Sequence, residues 1–139
     1  MNKIVLISCV SKKQSVTSRA DEMYISTLFK LNLRLARKLK PLFIFILSAK
    51  YGLITLDKLI EPYNQTLNQM SKVDRINWAE KVLEELQRLT NLQKDHFVIL
   101  AGNRYREYLI QHFNSYEVPM EGLRIGQQLQ FLKGQIENE

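Results

Sequence analysis

The chain has 139 residues, 45% apolar and 24% charged, with five glycines and three prolines. This composition argues against a disordered tail, a low-complexity linker or a two-domain enzyme, and we expect one α/β domain over residues 1–139. The net charge of +6 is uneven: residues 1–50 hold ten Lys or Arg against two acids, and residues 51–139 hold ten against twelve. This asymmetry favours a polyanionic partner, although a basic solvated helix face explains it equally well.

Several features limit the location and the cofactors we expect. The longest apolar run, Pro41–Leu47, is far shorter than the roughly 20 residues of a membrane span, and Ile4–Ile7 is too short for a signal-peptide core. The single cysteine, Cys9, and the separated His96 and His112 form no disulfide pair or metal-ligand spacing. We therefore expect a cytoplasmic protein with no membrane span, metal or cofactor, and we leave its oligomeric state open.

The first third of the chain predicts a strand, a loop and a helix. Lys3–Val10 contains a β-branched apolar run typical of a strand buried on both faces. The polar segment Lys12–Arg19 is expected to be the loop that leaves this strand. From Asp21 to Lys40 the apolar residues recur at helical spacing, and Pro41 ends the predicted helix.

The middle of the chain predicts a second strand and a second long helix. Leu42–Leu47 is again a buried-type strand, and Ser48–Leu53 leaves its carboxyl end. Leu56–Asn68 has no clean period and is expected to be an ordered excursion, with one helical turn at most. Ser71 is the predicted N-cap of an amphipathic helix.

The last third continues the alternation. His96–Ala101 predicts a third strand, followed by a turn and a short helix over Arg104–Phe113. An extended piece at Tyr116–Val118 and a last helix over Ile125–Ile136 complete the series. The alternation predicts a three-layer α/β sandwich with a small, mainly parallel sheet of about four strands flanked by helices. In such sheets, ligands bind beyond the carboxyl ends of the strands, so the three strand exits are expected to converge on one site.

The first strand exit carries groups that suit a phosphate. Cys9 and Lys13 stand there with hydroxyl and lysine neighbours. This loop has no glycine, so it is not a P-loop. The alternative for Cys9 is that it is a small buried packing residue.

The second strand exit combines a hydroxyl, a cation and an aromatic ring in Ser48, Lys50 and Tyr51. A ring beside a cation suits a stacked base next to a phosphate. An ordinary strand exit with a lysine extending to solvent is the alternative.

Three further segments hold candidate residues. Glu61, within a polar cluster after the second strand, offers a carboxylate that can activate water or stabilise a developing cation. Gly102, Tyr105 and Arg106 follow the third strand and are candidates for a third wall. Gln127 stands at the start of the last helix, whose first N–H groups suit an anion. For these residues, solvated side chains and helix capping are the alternatives.

Seven blocks in register along nearly the whole chain form one pattern: Ser8, Cys9 and Val10 with Lys13; Ala20, Tyr24, Ser26, Leu28 and Phe29; Leu47–Leu53; Pro62 and Tyr63 with Thr66 and Leu67; Trp78; Ala101 and Gly102 with Tyr105 and Arg106; and Pro119 with Gly122 and Ile125–Leu129. This pattern resembles a family of small uncharacterised bacterial and phage proteins (DUF6884-like). The group is distantly similar to the YaaA peroxide-stress proteins, which bind DNA. It is also distantly similar to the uracil-DNA glycosylase superfamily, whose members have a parallel α/β sheet and excise bases.

The resemblance implies a nucleic-acid-acting protein, with DNA as the expected partner, and a glycosylase-like hydrolase as its enzymatic form. Glu61 or Asn64 would then stabilise a cationic sugar or position water. Lys13 and Lys50 would hold phosphates, and Tyr51 or Tyr63 would stack a base taken out of the duplex. The water-activating Asp motif and the histidine loop of the glycosylases have no clear counterpart here. The alternatives are a DNA-binding or stress-response module without catalysis, and an enzyme acting on a free nucleotide or nucleoside.

Overall fold

A computed structural model describes residues 1–137. Its main feature is a five-stranded sheet in the order β4-β3-β1-β6-β7. These strands are β1 (Lys3–Ser8), β3 (Phe43–Ser48), β4 (Gly52–Thr55), β6 (His96–Leu100) and β7 (Ser115–Glu117). A separate antiparallel ribbon pairs β2 (Ser18–Arg19) with β5 (Leu59–Ile60).

The three apolar runs of the sequence form the centre of the sheet, as predicted. β1 lies between β3 and β6 and is parallel to both, with Ile7 opposite Ile46 on one side and Leu100 on the other. The side chains of Ile4–Ile7 are fully buried. Continuous burial on both faces explains why these strands are apolar at every position and do not alternate.

The edge strand β4 was not predicted. Residues 48–53 were expected to lead away from the carboxyl end of the second strand, but the chain reverses over Ala49–Tyr51 and returns as β4, antiparallel to β3. Gly52 has φ = +76°, a conformation that favours glycine, at the start of the returning strand. The sheet therefore has five strands instead of about four and is mostly parallel.

The first predicted helix is two helices, α1 (Ala20–Met23) and α2 (Thr27–Lys38). The break occurs at Tyr24, which forms an antiparallel bridge with Lys13. α2 then begins anew, because the Ser26 hydroxyl accepts a hydrogen bond from Phe29 N at 3.2 Å. A long-range backbone pair thus interrupts a helical pattern that is continuous in the sequence.

The remaining helices are α3 (Lys72–Leu89), α4 (Asn103–Arg106) and α5 (Ile125–Glu137), with short 3-10 turns at Leu67–Gln69 and Ile110–His112. The Ser71 hydroxyl caps α3 by accepting from Asp74 N at 3.1 Å, as predicted. The predicted helix over Arg104–Phe113 is instead α4 followed by the second 3-10 turn.

The helices pack on the sheet and on one another. α2 contacts β1 and α5, and α3 contacts β4. The mixed α/β class is confirmed, whereas the three-layer arrangement stays a prediction. No helix within residues 1–137 is long and apolar enough to cross a membrane.

Candidate functional site

The first loop is joined to both neighbouring strand exits at the carboxyl edge of the sheet. Cys9 N donates to the carbonyl oxygen of Leu47 at 3.0 Å, at the end of β3. The Cys9 thiol donates to the hydroxyl of Tyr105, after β6, at 3.4 Å. The exits of β1, β3 and β6 therefore lie together, where a parallel sheet places its ligand sites.

A buried hydroxyl network lies beneath this edge. The Tyr63 hydroxyl accepts from Ser48 Oγ at 2.8 Å and shares a 2.6 Å hydrogen bond with the Tyr24 hydroxyl. Ser48 Oγ also accepts from Tyr51 N. The backbone carbonyl oxygen of Ser48 accepts from Trp78 Nε1 at 2.9 Å. Burial raises the pKa of Tyr24 and Tyr63 well above that of a free tyrosine, so both stay protonated. The network connects β3, the segment after α1 and the segment around Pro62.

Tyr105 joins the site to the first 3-10 turn. Its hydroxyl accepts from Leu67 N at 3.4 Å and lies 3.5 Å from Thr66 Oγ1. Its ring meets Trp78 edge-on, with centroids 5.7 Å apart. Burial, followed by the neighbouring Cys9, raises the pKa of Tyr105. The hydroxyl is thus fixed as a neutral group at the base of the cleft.

Lys13 is the cation held closest to this network. Its Nζ lies 4.4 Å from the centroid of the Tyr63 ring and 3.4 Å from the carbonyl oxygen of Ser11. A half-buried ammonium is partly desolvated, and this lowers the pKa of Lys13 from that of a free lysine. The ring face offsets part of that cost by a cation–π contact. A bound anion would restore the favourable environment that burial removes.

Two adjoining chambers open at this edge. The large chamber has a volume of about 480 Å³ and the small chamber about 260 Å³. They share four lining residues: Cys9, Val10, Asn68 and Tyr105. We call the two together the cleft.

The described residues that line the cleft include three cations and no carboxylate. Lys13 lines the small chamber, and Arg104 and Arg106 line the large one. Both arginines have intramolecular partners: Arg106 donates to the Ala101 carbonyl at 2.7 Å, and Arg104 lies 3.7 Å from Glu107. Each guanidinium has five N–H donors, so donors remain for a ligand. The other polar lining side chains include several amides: Asn32, Asn64, Gln65, Asn68, Gln69, Asn103 and Gln128. Cations and amides without acids suit a ligand that is anionic and has hydrogen-bonding edges.

A third depression continues from the small chamber. This groove, which we call the α3 groove, has a volume of about 570 Å³ and lies between the segment at Gln65 and the α3 residues Asn77 and Lys81. It shares Gln65, Thr66 and Gln69 with the small chamber. The three depressions therefore adjoin one another, and the α3 groove adds one carboxylate, Asp74, to the residues around them.

Half of the candidate residues from the sequence line the cleft: Cys9, Lys13, Asn64, Gly102, Tyr105 and Arg106. Ser48 and Tyr63 lie behind it in the hydroxyl network. Tyr63 is 9% exposed and Lys13 covers its ring, so little of the ring remains for a stacked base.

Lys50, Tyr51 and Glu61 form a separate cluster outside the cleft lining. The Tyr51 hydroxyl accepts from Glu61 N at 3.2 Å and lies 3.4 Å from the Glu61 carbonyl oxygen. The Nζ atoms of Lys50 and Lys58 lie 5.2 and 5.6 Å from the Tyr51 ring centroid. Lys50 therefore lies beside Tyr51, as the sequence suggested, but does not line the cleft with Lys13.

Gln127 also lies outside the cleft lining. Its Oε1 accepts from Arg124 N at 2.9 Å just before α5, the capping role that the sequence left open. The next residue, Gln128, lines the large chamber instead.

Sequence reasoning missed Asn32, Asn68, Arg104 and Gln128. Asn32 had a detectable signal, because it lies four residues after Leu28 and three before Leu35, on the apolar stripe of α2. A polar residue at such a position is unusual. Asn68 and Arg104 stand in polar segments where nothing in the pattern distinguishes them.

Within residues 1–137, no cluster of three or more His, Cys, Asp or Glu residues is placed to hold a metal ion. Comparison with curated proteins and with solved structures found no match. The similarity to the YaaA proteins and to the uracil-DNA glycosylases therefore stays a prediction. Residues 4–134 match the model of a family described as a family of unknown function (DUF6884), and the chain belongs to that family.

Proposed function

We propose that this protein binds a nucleic-acid strand in the cleft at the carboxyl edge of its sheet. The observation that carries the proposal is the composition of the cleft: cations and amides without a carboxylate among the described lining residues. Phosphate groups pair with lysine and arginine, and amide side chains hydrogen-bond base edges and sugars.

The presence of three adjoining depressions supports a strand over a single small molecule. The large chamber alone has the volume of a typical small-molecule site. The small chamber, lined by Lys13, adjoins it, and the α3 groove, lined by Lys81 and by one carboxylate, Asp74, lies beyond. A strand lying along this path would place successive units beside different polar groups.

Binding, and not base excision, is the activity that these residues support. Glu61 lies outside the cleft lining, which leaves Asn64 as the one predicted catalytic residue inside it. An amide can orient water but cannot take its proton. We therefore expect no base release above the buffer rate. Release that is lost in Asn64→Ala would instead establish a glycosylase-like hydrolase.

The test measures binding of labelled single-stranded DNA, single-stranded RNA and duplex DNA by fluorescence anisotropy between about 50 and 200 mM salt. Wild type should bind at least one strand type, with an affinity that falls steeply with salt. Lys13→Gln should weaken binding several-fold and reduce the slope of log affinity against log salt by about one.

Lys94→Gln is the matched control. Lys94 is exposed and lies just before β6, at the opposite edge of the sheet, so this variant loses the same charge without touching the cleft. It should bind like wild type. Absence of binding to every strand at low salt would refute the proposal. Equal competition by a mononucleotide and by a strand would favour the nucleotide or nucleoside enzyme.

A further inference from the structure

Asn32 is a buried amide whose oxygen has no partner within the described part of the chain. Asn32 is 5% exposed and stands on the buried face of α2. Its Oδ1 is buried without a hydrogen-bond partner among residues 1–137. A buried polar atom left unpaired costs free energy, and native proteins contain few of them. A ligand that supplies the missing hydrogen bond would remove that cost.

The residues around Asn32 show where such a ligand would lie. Asn32 lines the large chamber, which is also bounded by a group of apolar side chains: Val10, Leu28, Ile99, Val118 and Met120. Arg104, Arg106 and Gln128 line the same chamber. The chamber therefore combines apolar walls, a hydrogen-bonding amide and two cations.

The unpaired atom distinguishes a base from a phosphate. Oδ1 is an acceptor and needs a donor N–H or O–H, which an ionised phosphate diester does not have. A nucleobase has N–H donors next to ring or carbonyl acceptors, the edge with which asparagine makes paired hydrogen bonds. Its ring faces also suit apolar walls better than a hydrated phosphate does.

We infer that the large chamber is a nucleobase pocket in which Asn32 hydrogen-bonds the edge of one base, while Arg104 and Arg106 contact the phosphate attached to it. This inference rests on the proposed function and adds to it the part of the strand that enters the chamber. Asn32 is a specificity-determining residue in this account, because only a ligand edge with an N–H or O–H donor pairs with its Oδ1.

The experiment compares homopolymeric strands of each base with an abasic strand of the same length, by anisotropy at low salt. Wild type should bind at least one base-bearing strand about tenfold more tightly than the abasic strand, a difference of about 1.4 kcal/mol. Asn32→Leu should lose this difference while its affinity for the abasic strand stays unchanged. Asn32→Ala should behave in the same way and guards against a steric effect of leucine.

Asn114→Ala is the control for loss of an asparagine. Asn114 is exposed and stands just before β7, at the edge of the sheet opposite the cleft, so the base preference should survive. Thermal unfolding adds a second readout: Asn32→Leu should not lower the melting temperature, because it removes an unpaired polar group. A clear fall would mean that the amide has a structural role, and would overturn the inference.

The outcomes distinguish failure of the base pocket from failure of the proposed strand binding. If strands bind with steep salt dependence but the abasic strand binds as tightly as the others, the base pocket is refuted and strand binding stands. If Asn32→Leu keeps the base preference, the inference is likewise overturned. If no strand binds, both fail.

Discussion

Removing the Tyr63 hydroxyl should destabilise the fold measurably without changing its packing. In Tyr63→Phe, the ring stays and only the oxygen is lost. That oxygen bonds Ser48 Oγ at 2.8 Å and the Tyr24 hydroxyl at 2.6 Å. Ser48 Oγ keeps its bond from Tyr51 N, whereas the Tyr24 hydroxyl, in a side chain that is 1% exposed, loses its 2.6 Å hydrogen bond and retains the neighbouring Ser48 hydroxyl.

The size of the effect follows from these contacts. Loss of a hydrogen bond from a buried polar group costs about 1–3 kcal/mol, so Tyr63→Phe should lower the free energy of unfolding by about 1–3 kcal/mol. Urea denaturation followed by circular dichroism measures it. The double variant with Tyr24→Phe should lose less than the sum of the two single losses, because both single variants break the same hydrogen bond.

Tyr116→Phe is the control, since Tyr116 is 43% exposed and its hydroxyl is not part of the buried network. It should stay within about 0.5 kcal/mol of wild type. A Tyr63→Phe variant as stable as this control would refute the view that the hydroxyl network supports the carboxyl edge.

Two further predictions concern alkaline pH and the β3–β4 turn. The raised pKa values of Tyr24 and Tyr63 mean that the unfolded chain loses protons near pH 10 while the folded chain keeps them, so the free energy of unfolding should fall as pH rises above about 10, by up to about 1.4 kcal/mol per pH unit for each tyrosine. Urea titrations across pH should show a shallower fall of the free energy of unfolding in the Tyr24→Phe, Tyr63→Phe double variant. This variant retains Lys13, so any pH dependence that comes from the lysine remains. Identical slopes in wild type and the double variant would contradict the assignment of the pH dependence to these tyrosines. Gly52→Ala should cost about 1–2 kcal/mol, because Gly52 has φ = +76° and the new Cβ would lie 3.0 Å from Glu85 Oε1. Gly134→Ala, inside α5 where a new Cβ meets nothing within 4 Å, should instead stabilise the fold by up to about 1 kcal/mol. Calorimetry should therefore show a lower melting temperature for Gly52→Ala and a higher one for Gly134→Ala.

The parts of the fold that follow from local pattern were predictable. β1, β3 and β6 were visible because strands buried on both faces need unbroken apolar runs. The start of α3 was visible because Ser71 caps it through its own side chain. The split between α1 and α2 was not, because it depends on the pairing of Tyr24 with Lys13 across the first loop. β4 was missed because its four residues follow Tyr51 directly and were interpreted as part of the loop that leaves the second strand.

The residues of the candidate site also divide into those that the sequence could predict and those that it could not. Strand exits can be located from the strands, so Cys9, Lys13 and Tyr105 were found at the cleft. Which exit side chains enter the cleft depends on how the chain turns after each strand, and the reversal into β4 leaves Lys50 outside the cleft lining. Asn32 enters the site from a helix face, a direction that a search confined to loops does not examine.

Backbone groups of the first loop already form hydrogen bonds with other parts of the chain. Lys12 O accepts from Ile25 N, and Gln14 N donates to Met23 O. A loop held in this way has few main-chain groups left to surround a phosphate, unlike a glycine-rich nest whose shape is the binding site. In the binding mode that we propose, ligand choice therefore depends on side chains that extend from a fixed backbone. We therefore expect single substitutions at Lys13 or Asn32 to change what the cleft binds while the fold stays intact.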